Sequence, residues 1–504
     1  MTGRSQRCNH AVPVDRSSAA TSIIAHCLAY VNGLRSPMES WSRLIMNQMG
    51  SVALMESENV MPLNEDSNVR LGITVVCNPL EVGADQGPEL LNQLDHAFAA
   101  GGFGRLHVIR SAEMVKDPDS AVKVGKYFYD QRVDAVCVLA ATWFEDYLVL
   151  DLLEECDVPL VAWARPGMET GSLCGMQQLG FLLKQLGKNY SFHFEPVGSP
   201  TALQRSWEFA RASAVARQMR RARIGYLGHR IQGMTEITGH ELALKKLLGP
   251  RVVGIDVQVF LKRACAVPAA SMTGRWQGLK AEVGAVTASD EAGIESLQVH
   301  TALKEIVEEQ GLSAVAAGCY PHLMGKVCLA ASLLGEQGVP VSCEGDINGA
   351  LGMLILTRLT GSPVHNTDLL DPIPAENAIV FSHCGSGGFS LAAQPADVKL
   401  APVRLMNCGL CCLFPGKPGP VTLLNVVPKL DGYTLAGLYG EAVETDMVFP
   451  GNPLRVRFQS DYRQILEWII QEGLGHHWMA VYGDLRESLG HLAKMDGCTW
   501  LEKQ

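Results

Sequence analysis

The absences in this 504-residue chain narrow its function first. No apolar run approaches the ~18 residues of a membrane-spanning helix. The longest, Ala135 to Phe144, already holds Thr142 and stops at Glu145. An excess of basic charge is missing too: 42 Lys and Arg stand against 52 Asp and Glu, net −10. That argues against broad phosphate-backbone binding, so no nucleic-acid partner and no membrane partner is expected. No Gly-x-Gly-x-x-Gly follows a predicted strand, and there is no Gly-x4-Gly-Lys-Ser/Thr phosphate loop. Gly385-Ser386-Gly387 resembles a nucleophile elbow, but Cys384 stands where that turn needs its first glycine. Cys408 and Cys411, with Cys412 beside them, lack the second pair that a structural zinc site requires. Repeats and low-complexity tracts are also missing.

The composition is that of a globular protein, 47% apolar and 19% charged. Its 15 cysteines, an odd number set in apolar stretches such as Val136-Cys137-Val138, read as buried free thiols in a reducing compartment. A cytoplasmic location is expected. Residues 1–65 carry Arg4, Arg7 and Arg16 with no acid before Asp15, which fits either a targeting segment or a poorly defined start. Ser17 to Leu34 could form one apolar helix.

From Val69 onward short apolar runs alternate with helix-length amphipathic segments. The runs are Leu71–Cys77, Leu106–Arg110, Ala135–Ala140 and Val158–Ala164. Gly87–Ala100 carries apolar residues at helical spacing. Continuous apolar strands are buried on both faces, which predicts a parallel sheet flanked by helices. A second series follows at Arg223–Leu227, Val252–Val257, Ala314–Ala317 and Val339–Cys343. Between Val257 and Thr301 the text is irregular and predicts a long surface loop, with a helix over Thr301–Gln310. From about Leu356, Gly, Pro and β-branched residues rise, which predicts antiparallel strands or a small barrel. Asp484 and Glu487 read as a capping box for a helix closed by Gly497. The expected fold is α/β: two doubly wound parallel-sheet domains, 66–215 and 216–355, then a mixed C-terminal domain, 356–504.

The informative stretch is Pro340 to Leu354. A buried strand runs to Glu344, turns through Gly345, Asp346 and Asn348, and enters an apolar helix. Ligands collect at the carboxyl ends of strands in open α/β sheets. Asp346 and Asn348 also suit a helix cap, whereas Glu344 precedes the cap. Asp368 lies in the extended segment Val364–Leu370. His383 ends the run Ala378–Ser382, and His476-His477 opens Trp478–Tyr482. In that strand His477, Met479 and Val481 share one face. A lone histidine is usually structural. Two acids and two strand-end histidines together suit a hard cation, Mn²⁺ or Mg²⁺, better than Zn²⁺.

The segment Cys343-Glu-Gly-Asp-Ile-Asn-Gly-Ala-Leu-Gly-Met resembles the hallmark of the L-fucose isomerase/L-arabinose isomerase superfamily. Gly171-Ser-Leu-Cys-Gly, Arg223-Ile-Gly-Tyr-Leu-Gly with Gly233-Met234, Cys319-Tyr-Pro and Ser382-His-Cys-Gly agree in order. So do Gly416-Lys-Pro-Gly-Pro-Val-Thr-Leu, Gly440-Glu441, and His476-His477 with Gly483-Asp484. The resemblance implies a Mn²⁺ site held by Glu344, by an acid two dozen residues on (Asp368) and by His477, with His383 ligating or touching substrate. It also implies a homotrimer or homohexamer. The glycine-rich Cys384–Gly388 and the stretch 258–301 depart from the family pattern, which leaves the sugar open.

Moving a carbonyl between C1 and C2 of a sugar needs a proton taken from one carbon and given to the next, with an enediolate between. A divalent cation offsets that charge, and carboxylates move the proton. Glu344 and Asp368 are the candidates for both duties, and His383, Asp346 and His476 for contact with a small sugar. Two other readings stay open from sequence: a non-catalytic sugar-binding protein, and an epimerase or lyase on the same scaffold.

Overall fold

A computed structural model describes residues 68–504. The expectations for residues 1–65, including the Ser17–Leu34 helix and the targeting segment, lie outside the described residues.

The first sheet contains β1 (Val69–Val76), β2 (Leu106–Arg110), β3 (Ala135–Ala140), β4 (Leu160–Ala164) and β5 (Tyr190–Phe194), in the order β2-β1-β3-β4-β5 and parallel throughout. Burial on both faces makes β3 and β4 unbroken apolar runs. One face packs on α1 (Gly87–Ala100) and α5 (Pro200–Met219). The other packs on α2 (Pro118–Asp130), α3 (Tyr147–Cys156) and α4 (Ser172–Gln185). Sequence reading misses β5, an edge strand whose burial alternates.

The second sheet holds β6 (Arg223–Leu227), β7 (Arg251–Ile255), β9 (Ala314–Ala317) and β10 (Val341–Ser342), again parallel, in the order β10-β9-β6-β7. Read from the β7 edge, this is the winding of the first sheet. The helix α6 (Glu241–Leu247) joins β6 to β7.

The expected loop between Val257 and Thr301 is overturned. The segment forms α7 (Val257–Ala266), α8 (Ala269–Glu282), the short strand β8 (Ala285–Val286) and α9 (Asp290–Gln310). Asp256 caps α7 by accepting from the amides of Gln258 and Val259 at 2.8 and 2.9 Å. Ser289 caps α9. Trp276 of α8 is fully buried and donates to Asp290 at 2.6 Å. The apolar faces of α7 and α8 are thin, only Phe260 and Ala264, then Trp276 and Leu279. A periodicity so sparse reads as none.

After α10 (Cys328–Glu336), α11 (Ile347–Thr360) is buried on nearly every side, as an apolar helix without a polar face should be. The rest is largely β. Strands β11 (His365–Ile373), β12 (Ala378–Ser382), β15 (Gly419–Lys429), β16 (Gly432–Val443), β17 (Leu454–Arg457) and β18 (His477–Tyr482) pair antiparallel in the order β15-β18-β11-β12-β17-β16. β15 also pairs with β16, so the sheet closes into a six-stranded barrel. The expected barrel-like strands are present. β13 (Lys399–Val403) and β14 (Cys408–Leu413) join β8 in a small side sheet. The helices α12 (Tyr462–Glu472) and α13 (Arg486–Met495) and the parallel strand β19 (Thr499–Lys503) complete the chain.

The capping box expected at Asp484 does not form: Leu485 takes the N-cap position, and the Asp484 carboxylate accepts from both the backbone amide of Arg486 at 3.2 Å and its guanidinium at 2.9 and 2.6 Å. All described cysteines are free thiols, but Cys174, Cys265 and Cys408 are exposed rather than buried. Among the described residues no helix is long and apolar enough to cross a membrane.

Asp496 ends α13 with Oδ2 unpartnered and Arg220 3.9 Å away. Burial pushes this acid up to about 7, with Arg220 opposing only in part. The folded chain therefore holds the proton more tightly than the unfolded one. Stability falls as pH rises from the ordinary carboxylate range through about 7. Asp496→Asn should add on the order of 2–4 kcal/mol near pH 8 and markedly less near pH 5. Thermal melts at the two pH values check this; equal midpoints for both proteins near pH 8 would contradict it.

Candidate functional site

Three separate stretches of chain meet at the carboxyl edge of the second sheet, against the outer wall of the barrel. The strand β10 ends at Ser342, and Glu344 follows two residues later in the left-handed region, φ +65°. Its backbone is held on two sides: its amide donates to the Cys319 thiol at 3.4 Å, and its carbonyl accepts from Ile231 at 3.1 Å. Gly345, at φ +71°, runs so close to residues 229 and 230 that a Cβ there would sit 2.7 Å from the His229 carbonyl.

The barrel supplies the facing groups by register. Asp368 of β11 lies directly opposite His477 of β18 and, on its other side, opposite Ser382 of β12. His383 is the next residue. Directly opposed residues of antiparallel strands project from the same face, so this pairing brings an acid and an imidazole together. The alternation expected for β18 holds: Trp478 and Ala480 fill the barrel, while Met479 and Val481 pack outward with α11.

His477 is the hub. Its Nε2 lies 3.0 Å from Glu344 Oε2 and 3.5 Å from Asp368 Oδ1. Its Nδ1–H donates to Asp346 Oδ2 at 2.8 Å. His383 Nε2 stands 3.7 Å from Asp368 and 3.9 Å from Glu344. His383, His477 and Asp346 are buried, and Glu344 and Asp368 are half-buried. His476 sits beside them, its ring centroid 4.1 Å from that of His477 and its Nδ1 2.8 Å from Glu236 Oε1. All six residues expected at a site are thus close together. Asp346 occupies the N-cap position of α11, but its carboxylate does not cap the helix; it turns behind His477. Glu236 escapes sequence reading. It lies on a short turn, Thr235–Ile237, just past Gly233-Met234 and outside that match.

The electrostatics are tightly coupled. Burial alone would lower the His477 imidazole, but hydrogen bonds to Asp346 and Glu344 outweigh it and raise it to about 10. Burial would lower His383 as well; the charges of Cys343 and Asp368 hold it well above the usual histidine range. Burial would raise Glu344, yet the hydrogen bond from His477 and the neighbouring imidazoles bring it below the ordinary carboxylate value.

This donor set fits a divalent cation. Asp368, His383 and His477 bring ligand atoms within 4.8 Å of one another, and so do Glu344, His476 and His477. Asp368 Oδ1 is buried and without a hydrogen-bond partner. Carboxylate oxygen with imidazole, and no thiolate, matches a hard or borderline ion. No such group among the described residues includes Cys408, Cys411 or Cys412.

The chain is similar to curated sugar isomerases. It is 25% identical over 373 residues to a sulfoquinovose isomerase of Alkalicoccus urumqiensis, covering 72% of this chain and 84% of that protein. A sulfoquinovose isomerase of Priestia megaterium matches at 25% identity over 375 residues, with the same coverage. One from a Clostridium species matches at 24% over 339 residues, 65% of this chain and 75% of that protein. No protein-family model matches the chain. Among solved structures, an extracellular ligand-binding receptor from Rhodopseudomonas palustris HaA2 aligns at a TM-score of 0.17 and 15% identity, over 60% of this chain and 67% of that one. That score is too low to speak for a common fold.

Proposed function

We infer that the chain is a metal-dependent aldose–ketose isomerase, with Glu344 and Asp368 as both metal ligands and the acid–base pair. The observation that carries this reading is the convergence of both carboxylates on one imidazole nitrogen, His477 Nε2, at 3.0 and 3.5 Å. Glu344, Asp368 and His477 hold the cation, Mn²⁺ or Mg²⁺, and His383 completes the set or binds the sugar. Once bound, the cation supplies positive charge against the enediolate. One carboxylate takes the proton from C2 of the aldose and a carboxyl returns it to C1. Asp346 keeps the proton of His477 on Nδ1 and so leaves Nε2 to ligate. His476 faces the sugar oxygens.

The relatives' name suggests a sulfonated aldose as substrate. A homotrimer or homohexamer and a cytoplasmic location belong to the same reading. The exposed Phe192 and Phe194 on edge strand β5 are apolar surface of the kind that subunits cover.

The test is incubation with Mn²⁺ and a panel of aldoses that includes sulfoquinovose, scoring ketose. In deuterium oxide the product should carry solvent deuterium at C1, the carbon that receives the proton. Ketose formation without deuterium would point to hydride shift and remove the acid–base pair from the mechanism. Failure to convert any aldose would reject the reading.

A further inference from the structure

Two carboxylate–imidazole pairs stand side by side at this site. Asp346 hydrogen-bonds Nδ1 of His477, and Glu236 faces Nδ1 of His476, each at 2.8 Å. The first belongs to the ligand set. The second has no duty so far. We propose that Glu236 is a positioning residue that aims His476 at the substrate; this rests on the isomerase reading given above.

The argument starts from the histidine. His476 is 39% exposed, and its ring lies against that of His477 with centroids 4.1 Å apart. A proton held on Nδ1 by Glu236 leaves Nε2 as a lone-pair acceptor. A ring nitrogen of His476 lies within 4.8 Å of ligand atoms of Glu344 and His477. An acceptor beside the reacting carboxylates suits a sugar hydroxyl, which donates.

Glu236 is itself held in register with the site. Its turn is anchored by buried Ile237. Shortly before the turn, the amide of Ile231 donates to the Glu344 carbonyl at 3.1 Å. Just after the turn, the Thr238 carbonyl accepts from Asn348 at 3.3 Å. The segment after β6 is therefore tied to Glu344, to the start of α11 and, through Glu236, to β18. Glu236, Asp346, Asn348, His476 and His477 also line one narrow cleft. Glu236 thus reports to His476 the position of the elements that carry the catalytic acid, without touching substrate or metal.

The experiment uses the full chain with Mn²⁺. Glu236→Ala frees the His476 ring and should raise KM about tenfold, the worth of one hydrogen bond, with kcat within about twofold. Glu236→Gln keeps an acceptor oxygen on Nδ1–H and should stay near the wild-type KM. Mn²⁺ affinity, read by titration, should stay unchanged in both. Glu236→Ala combined with His476→Ala should be no worse than His476→Ala alone, because one acts through the other. Unchanged KM in Glu236→Ala, additive losses in the double variant, or a parallel fall in Mn²⁺ affinity would each overturn the proposal. Nitrogen NMR of His476 gives a readout that needs no turnover: Nδ1 should carry the proton in the wild type and lose that preference in Glu236→Ala. A wild-type chain that converts no aldose sinks the isomerase reading, whereas a His476 protonated on Nε2 sinks the pair itself.

Discussion

Glu344→Gln should keep the fold and lower kcat for ketose formation by about 10³-fold. Gln has the same length and the same branching, so the left-handed backbone at 344 is no worse served. Its amide oxygen can still face the cation site beside His477 Nε2, 3.0 Å away in the parent. What is lost is the anion, which alone can take a proton from carbon beside a carbonyl. The thermal midpoint should move by a few degrees at most, and solvent-deuterium exchange into the sugar should fall in step with turnover. Turnover within about tenfold of wild type would remove Glu344 from the acid–base role.

Asp346→Ala should weaken Mn²⁺ binding by about 10–100-fold, the usual loss when the partner behind a metal-ligating histidine is removed. The carboxylate is buried, and it accepts from the Nδ1–H of His477 at 2.8 Å. Without it the ring is free to rotate and its tautomer is no longer set. Asp346→Asn keeps an acceptor and should lose less. Titration with Mn²⁺ measures both; an affinity unchanged in Asp346→Ala would mean that His477 is oriented by packing alone.

Much of the fold is legible in the residues because parallel strands are buried on both faces. Ala135–Ala140, Arg223–Leu227 and Ala314–Ala317 stand out as short apolar runs and become β3, β6 and β9 with the same bounds, while Leu106–Arg110 becomes the more exposed edge strand β2. The helices over 257–310 are not legible. Their apolar faces are narrow, and Trp276 makes its contacts with Gly293 and Asp290, which belong to the next helix. Asp484 satisfies the sequence pattern of a cap, but the helix starts one residue later, and its carboxylate accepts from the amide and the guanidinium of Arg486 together.

At the site, Glu344 is readable because an acid placed directly after an apolar strand has no ordinary structural duty. Asp346 is readable as an acid at a helix start and as a candidate for sugar contact, but not as the partner of His477 Nδ1. Helix capping is the natural expectation there, and the pull of His477 cannot be inferred without knowing that β18 lies across from it. Glu236 is illegible for a simpler reason: its meaning comes entirely from His476, which is far away in the chain and near only after the barrel has closed.

The left-handed backbone at Glu344 has a last consequence. A side chain there works against the conformation by about 1–2 kcal/mol, and glycine would not. A chain relieved of its chemistry would be sturdier with glycine at 344. A strained bend is thus spent on a carboxylate, and robustness and reactivity pull in opposite directions at a single peptide.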